Sequence, residues 1–305
     1  MSRKNISFAG FLICFVGSLL FSTKAIIVKL AFANSPVDAL TLLTLRMIFS
    51  LPFFLAAALW AGNTSANVKL RPGQHLRIIL LGLFGYYLSS YFDFVGLQYI
   101  SAGLERLILF LYPSIVVLIN AFFFRQRITR IQGIALLLTY LGIGLAYYDE
   151  MQFDTANPNF VWGSILIFLC SITYAIYLAG SGRIIPYIGP SRFTAYSMLA
   201  ATAGIFIHFS FSRNYTDLTA TGGIWQYGLL LAIAATVLPT FLMAAGMSRI
   251  GSNNMAIISS IGPVSTILQA HWILGEPIHN GQITGTALVI AGALLTGWKS
   301  RTISE

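Results

Sequence analysis

Ten apolar runs, each broken by only a few polar residues, fill the chain: 7–32, 37–61, 76–99, 102–124, 129–148, 160–181, 190–211, 223–247, 252–274 and 279–298. About 20 apolar residues rising 1.5 Å each cross the hydrocarbon core of a bilayer, so each run predicts a membrane-spanning helix. The runs fall into two sets of five. Residues 96–144 return 150 positions later as 246–294: Gly96-Leu97 and Ile100 align with Gly246-Met247 and Ile250, Pro113 with Pro263, Gln132 with Gln282, and Gly142 with Gly292. At the front of each set, Gly10, Ser18 and Phe21 correspond to Gly163, Ser171 and Tyr174. Five is odd, so the second copy must enter the membrane from the opposite side. The pattern predicts an all-α integral membrane protein of two inverted five-helix repeats, 1–150 and 151–305, around a central cavity. That architecture recurs in transporters, which bind their substrates where the repeats meet.

Composition excludes a soluble domain: 57% of the 305 residues are hydrophobic and 9% are charged, against roughly a quarter charged in soluble proteins. The net charge of +9 follows topology. With the amino terminus in the cytoplasm, thirteen Lys and Arg residues fall in cytoplasmic segments, among them Arg3, Lys4, Lys69, Arg125, Arg127, Arg183, Arg249 and Lys299, and only Arg213 falls in the loops opposite. This split sets a multi-pass protein in the plasma membrane with both termini cytoplasmic, and makes a nucleic-acid partner unnecessary. The first run, with Lys24 and Lys29 inside it, is too long for a cleaved leader and is expected to stay as the first span. Cys14 and Cys170 lie mid-span and read as small packing residues.

Ionisable residues within the spans carry the functional signal. Lys24, Arg46, Asp93, Glu105 and Arg106 all fall roughly 5 to 13 Å below the external ends of their helices at 1.5 Å per residue, in one layer supplied by the first repeat. A charge at the bilayer centre costs about 2.5 to 3.5 kcal/mol on insertion scales, so these groups must pair or hydrate. Two readings compete: an ion-pair network tying the first four helices together, for example Arg46 with Glu105 or Lys24 with Asp93, or a hydrated vestibule that touches a charged solute. Three cations and two carboxylates suit an amino acid, whose carboxylate and ammonium would each find a partner. The second repeat offers Tyr174, Tyr177, Asn253, Asn254, Ser259 and Ser260, with no charge at the matching places.

Helical spacing puts Tyr86, Ser89, Ser90 and Asp93 on one face of the third span, and Gly17, Phe21 and Lys24 on one face of the first, matched by Cys170, Tyr174 and Tyr177 on the sixth. These faces are expected to look into the bundle. Pro113 and Pro263 sit at matching places in the fourth and ninth spans, where each frees a carbonyl four residues back, on Leu109 and Ser259; such a pair suits hinges beside a cavity. Gly281-x-x-x-Gly285 suits a close helix contact within the chain or between the halves of a homodimer.

Other classes fit poorly. No His-Glu-x-x-His, Gly-x-Ser-x-Gly, phosphate-cradling loop or Cys/His metal spacing is present, so neither an enzyme nor a cofactor is expected, and the short loops argue against a non-transporting scaffold. Lys29-Leu30-Ala31, Leu45-Arg46, Gly96-Leu97-Gln98-Tyr99-Ile100-Ser101-Ala102, and Gly275-Glu276-Pro277 followed by Gln282, Gly285 and Gly292 resemble the drug/metabolite transporter superfamily, in particular its ten-helix EamA-type members. The resemblance covers nearly the whole chain. It implies alternating access around a central substrate cavity and export of small metabolites such as amino acids, or else efflux of toxic cationic drugs. In the first repeat Arg125-Gln126-Arg127 replaces Gly-Glu-Pro. Lys24 and the Glu105-Arg106 pair are not general to the superfamily. Proton coupling through Glu105 or Asp93 and ion-free exchange both stand open.

Overall fold

The computed structural model describes residues 8–62, 72–125, 128–153, 157–213, 218, 223–250 and 258–299. Among them the chain crosses back and forth as helices: α1 (Phe8–Asn34), α2 (Ala39–Gly62), α3 (Pro72–Gly82), a π-helical segment (Leu83–Leu88) leading into α4 (Ser89–Gly96), α5 (Ala102–Leu109), α6 (Tyr112–Phe124), α7 (Arg130–Phe153), α8 (Phe160–Ile188) and α9 (Pro190–Ser212). Then come α10 (Ile224–Ala232), a second π segment (Ile233–Val237), α11 (Leu238–Ile250), α12 (Gly262–Gln269) with a third π segment (Ala270–Leu274), and α13 (Asn280–Lys299). Among the described residues, eight of these stretches are long and apolar enough to cross a membrane. These eight match the first eight predicted runs, with α7 and α8 reaching beyond them to Phe153 and Ile188; the ninth run is described only from residue 258, and the tenth is the shorter apolar helix α13.

Polar residues fix the helix starts. Asp38 caps α2, its Oδ1 accepting from the amides of Leu40 and Thr41 at 2.9 and 3.2 Å, and Thr129 and Gln132 bond reciprocally at the start of α7, a capping box. The left-handed turn that ends the ninth span falls on Gly275, φ 71°. Its counterpart 150 residues earlier is Arg125, held at φ 52°. The turn is kept where glycine is not, at a cost of about 1 to 2 kcal/mol.

The helices pack as a two-fold pair. The third span, α3 to α4, lies against α8 just as α11 lies against α1; α5 and α6 lie against α8 as α12 lies against α1. The pairs α2–α9 and α7–α13 are their own counterparts. Small residues allow the close approaches: a Cβ on Gly163 would stand 3.2 Å from the carbonyl oxygen of Gly96, and one on Gly96 would stand 3.1 Å from that of Gly163. At the equivalent α1–α11 contact, Gly246 meets Cys14. Gly281 and Gly285 are engaged by Asp149 and by Gly142 and Ala146 of α7, so the predicted small-residue stripe joins the repeats within one chain.

Both prolines break their spans. Helix α5 stops at Leu109, Phe110 and Leu111 form a turn, and α6 restarts with Pro113 in its first turn. Ser260 and Ile261 form the matching turn ahead of α12, which opens on Gly262-Pro263. Each break is a tightened turn rather than a gap: Phe110 and Leu111 keep near-helical dihedrals, and their amides bond back to Arg106 and Ile108 at 3.1 and 3.0 Å. The π segments Leu83–Leu88 and Ile233–Val237 also coincide at an offset of 150. In the second, Thr236 Oγ1 donates to the carbonyl of Leu231, five residues back, at 2.8 Å. In the first, no Cβ fits at Gly85, where the Tyr177 ring lies. The widened turn and the bare glycine together make room for that ring.

Candidate functional site

The five ionisable residues of the predicted layer in the first repeat are all buried. Exposure is 8% for Lys24, 4% for Arg46, 1% for Asp93, 0% for Glu105 and 7% for Arg106. Lys24 lies at its centre: Nζ is 2.7 Å from Asp93 Oδ2 and 3.8 Å from Glu105 Oε1. These three side chains bring α1, α4 and α5 together. Buried charges survive only with such partners, because desolvating each ion costs several kcal/mol.

The expected pair of Lys24 and Asp93 is present; the expected pair of Arg46 and Glu105 is not. Arg46 Nη2 instead donates to Ser90 Oγ at 3.0 Å, and its guanidinium lies 5.1 Å from the centroid of the Phe94 ring. Arg106 likewise has no carboxylate within ion-pair distance among the described residues. Its Nη2 is 3.5 Å from Ser22 Oγ, and its guanidinium lies 5.1 Å from the centroid of Phe21, a ring that also has Lys24 Nζ at 6.0 Å. Cation–π contacts of this kind contribute about 0.5 to 2 kcal/mol, too little to replace a counterion. Arg46 Nε, Arg106 Nε, Asp93 Oδ1 and Glu105 Oε2 have no hydrogen-bond partner among the described residues. The site thus holds two guanidiniums with donors to spare around a Lys24 already shared by two acids.

The polar face of the third span divides its partners. Ser89 Oγ is 3.3 Å from Cys170 Sγ of α8, Ser90 meets Arg46 of α2, Asp93 meets Lys24 of α1, and Tyr86 OH accepts from Tyr177 OH at 3.2 Å. Tyr86 lies in the π segment some 10 Å along the span from Asp93, and an aromatic cluster forms there. Tyr112 stands edge-on to Tyr174 with centroids 5.1 Å apart, Tyr174 stacks on Tyr177 at 5.9 Å, and Tyr177 stacks on Phe193 at 5.7 Å. Ser259 reaches the first span instead, its Oγ 3.3 Å from Ser18 Oγ. Asn253 and Asn254 lie outside the described residues. Pro113 and Pro263 flank the layer: Pro113 follows Tyr112, and Gly262, just ahead of Pro263, accepts from Ser22 Oγ at 3.3 Å.

Sequence reasoning missed five of these contributors as site residues: Phe21, Ser22, Phe94, Tyr112 and Gly262. Phe21 lies on the face already assigned to Lys24, which is a usable signal. Gly262 has none but its place beside Pro263; a Cβ there would stand 3.0 Å from Arg106 Nη2, so glycine leaves the guanidinium its room. Among the described residues no group of His, Cys, Asp and Glu could hold a metal ion.

An all-helical membrane protein whose repeats interlock about a two-fold axis, with charge buried where they meet, has the build of a transporter. The chain belongs to the EamA-like transporter family, whose model matches it twice, over residues 8–148 and 161–298. It is 30% identical to the Bacillus subtilis (strain 168) protein named uncharacterized transporter YcbK, over 96% of this chain and 93% of that one. It is 22% identical to an uncharacterized transporter of Archaeoglobus fulgidus, over 80% and 86% of the two chains. A solved crystal structure shares the fold at a TM-score of 0.63 and 20% identity, over 97% of this chain and 99% of that one. The two family matches make the chain two copies of one EamA-like unit.

Proposed function

We propose that the protein exports small zwitterionic metabolites such as amino acids by alternating access, from a cell membrane in which both its termini face the cytoplasm. The observation that carries this reading is the pair of buried guanidiniums, Arg46 and Arg106, each with an unpartnered Nε and no carboxylate within ion-pair distance among the described residues. A guanidinium presents a planar fork of donors that fits a carboxylate. The free oxygens of Asp93 and Glu105 supply acceptors for an ammonium beside it. Export is the direction implied by the family resemblance, and the uneven distribution of Lys and Arg between loops supports the orientation.

A thermal-shift screen of the purified protein in detergent tests the substrate class, since a ligand that binds only the folded state stabilises it by about 2.7 kcal/mol at a hundred times its Kd. Amino acids are expected to raise the melting temperature of the wild type, and Arg46→Gln and Arg106→Gln to remove that rise. Stabilisation by apolar cations alone, unchanged in both variants, would point to drug efflux. The rings of Tyr86, Tyr112, Tyr174 and Tyr177 favour that second reading, because they could stack on a flat cation. Coupling rests on Glu105: Glu105→Gln is expected to slow transport and flatten its dependence on pH. Unchanged rate and pH profile would make Glu105 a structural residue.

A further inference from the structure

Glu276 belongs to the second repeat, yet its carboxylate lies on the first. Oε1 accepts from the backbone amide of Ala102 at 3.0 Å, and Oε2 lies 3.4 Å from that of Gly103. These are the first two amides of α5, which have no partner within the helix. A carboxylate there is favoured both by the bonds and by the positive end of the helix dipole. Charge-assisted bonds of this kind are about twice as strong as neutral ones.

Helix α5 has only eight residues, all of them buried. Glu105 and Arg106 follow the capped amides by two to four positions, so the geometry of the charged layer depends on where that helix end is held. The other end joins α6 through the tightened Phe110–Leu111 turn, where the regular helical ladder is interrupted ahead of Pro113. The same region is tied by three further contacts: Lys29 Nζ donates to the carbonyl of Ile100 at 2.8 Å, Asn157 Nδ2 to that of Tyr99 at 2.7 Å, and the Ser101 amide to Glu150 Oε1 at 3.4 Å. These three contacts hold Tyr99, Ile100 and Ser101, the residues just ahead of α5. Only Glu276 joins α5 directly to the other repeat by ionised hydrogen bonds among the described residues. The left-handed turn at Gly275 and the bond from the Glu276 amide to the carbonyl of Ala270, 3.2 Å, fix the carboxylate from behind.

We propose that Glu276 is a positioning residue and latch: it holds α5 so that Glu105 and Arg106 face Lys24 and Ser22, and its release lets α5 pivot at Phe110–Leu111 to open the site at that end of the bundle. The inference rests on the reading of the charged layer as the transport site but not on the substrate chosen for it. Its counterpart in the first repeat is Gln126, outside the described residues, so the acid stands at one end of the pseudo-symmetric pair only.

The test is the reactivity of a cysteine placed at Leu104, 0% exposed on α5, in full-length protein with Cys14 and Cys170 replaced by alanine, toward a small methanethiosulfonate reagent in detergent. Glu276→Gln is expected to speed labelling by about tenfold, the equilibrium shift carried by about 1.4 kcal/mol, and Glu276→Asp is expected to stay near the wild-type rate. A control cysteine at Ala201, equally buried on α9, is expected to label at an unchanged rate. Equal acceleration at both positions would reduce Glu276 to a stabilising cap, and Leu104→Cys labelling unchanged by Glu276→Gln would overturn the latch. The labelling needs no substrate, so failure of the amino-acid reading would leave this result standing.

Discussion

Replacing Lys24 with methionine is expected to abolish transport and to lower the melting temperature by roughly 10 °C. The ammonium stands 2.7 Å from Asp93 and 3.8 Å from Glu105, with both acids essentially without exposure. Removing one partner of a buried pair costs about 3 to 5 kcal/mol, because the charge left behind has neither water nor counterion. Here two carboxylates would be left. The neutral triple variant, Lys24→Met with Asp93→Asn and Glu105→Gln, separates structure from function. Buried ion groups replaced together by neutral ones of similar shape are often tolerated without loss, so its melting temperature is expected to recover most of the wild-type value while transport stays absent. Recovery of both would make the knot a helix tie with no part in transport. Failure of the triple variant to regain stability would show that the attraction of the ion pairs themselves, rather than the avoidance of unpaired charge, holds α1 to α4 and α5. Melting curves and transport in proteoliposomes read the two effects separately.

The layer is legible in the sequence because depth is: counting 1.5 Å per residue from a predicted helix end puts Lys24, Asp93 and Glu105 at comparable heights. Rotation about the bundle is harder to read. Arg46 shares that height, yet it turns toward Ser90 and Phe94, and only the packing of α2 beside α4 decides this. The tightened turns ahead of Pro113 and Pro263 follow from the prolines, but what holds them in place comes from neighbours, such as Ser22 donating to the carbonyl of Gly262 where α12 begins. The π segments leave almost no mark on the sequence. Gly85 hints at the first, and the ring of Tyr177 that requires it comes from the other repeat. The run predicted for α7 stops short because Asp149 and Glu150 look like loop residues. In the fold Asp149 Oδ2 accepts from the Gly281 amide at 2.7 Å and Glu150 from Ser101, so tertiary partners let the helix continue to Phe153.

Two leucine substitutions two residues apart on α7 are expected to give opposite results. A Cβ at Gly142 would stand 2.5 Å from the carbonyl oxygen of Gly285, a backbone atom that cannot move aside alone. Its two-fold counterpart, Gly292, would meet the carbonyl of Ala135 at 2.7 Å, so the α7–α13 pair is close-packed at both ends. Gly142→Leu must push the helices apart along this contact and is expected to cost about 3 kcal/mol or more, read as a large fall in melting temperature and loss of a monodisperse peak. A Cβ at Gly144 would meet nothing within 4 Å, and the residue lies exposed on the outside of the bundle. Gly144→Leu therefore adds an apolar side chain toward lipid and gains about 0.5 to 1 kcal/mol of helix propensity, so stability is expected to hold or rise and transport to stay at the wild-type rate. Neither position touches the charged layer, and any loss of transport in folded Gly144→Leu would mean that α7 moves during the cycle. Equal tolerance of both substitutions would instead show that α7 and α13 separate readily, and that spans five and ten are not the fixed seam between the repeats.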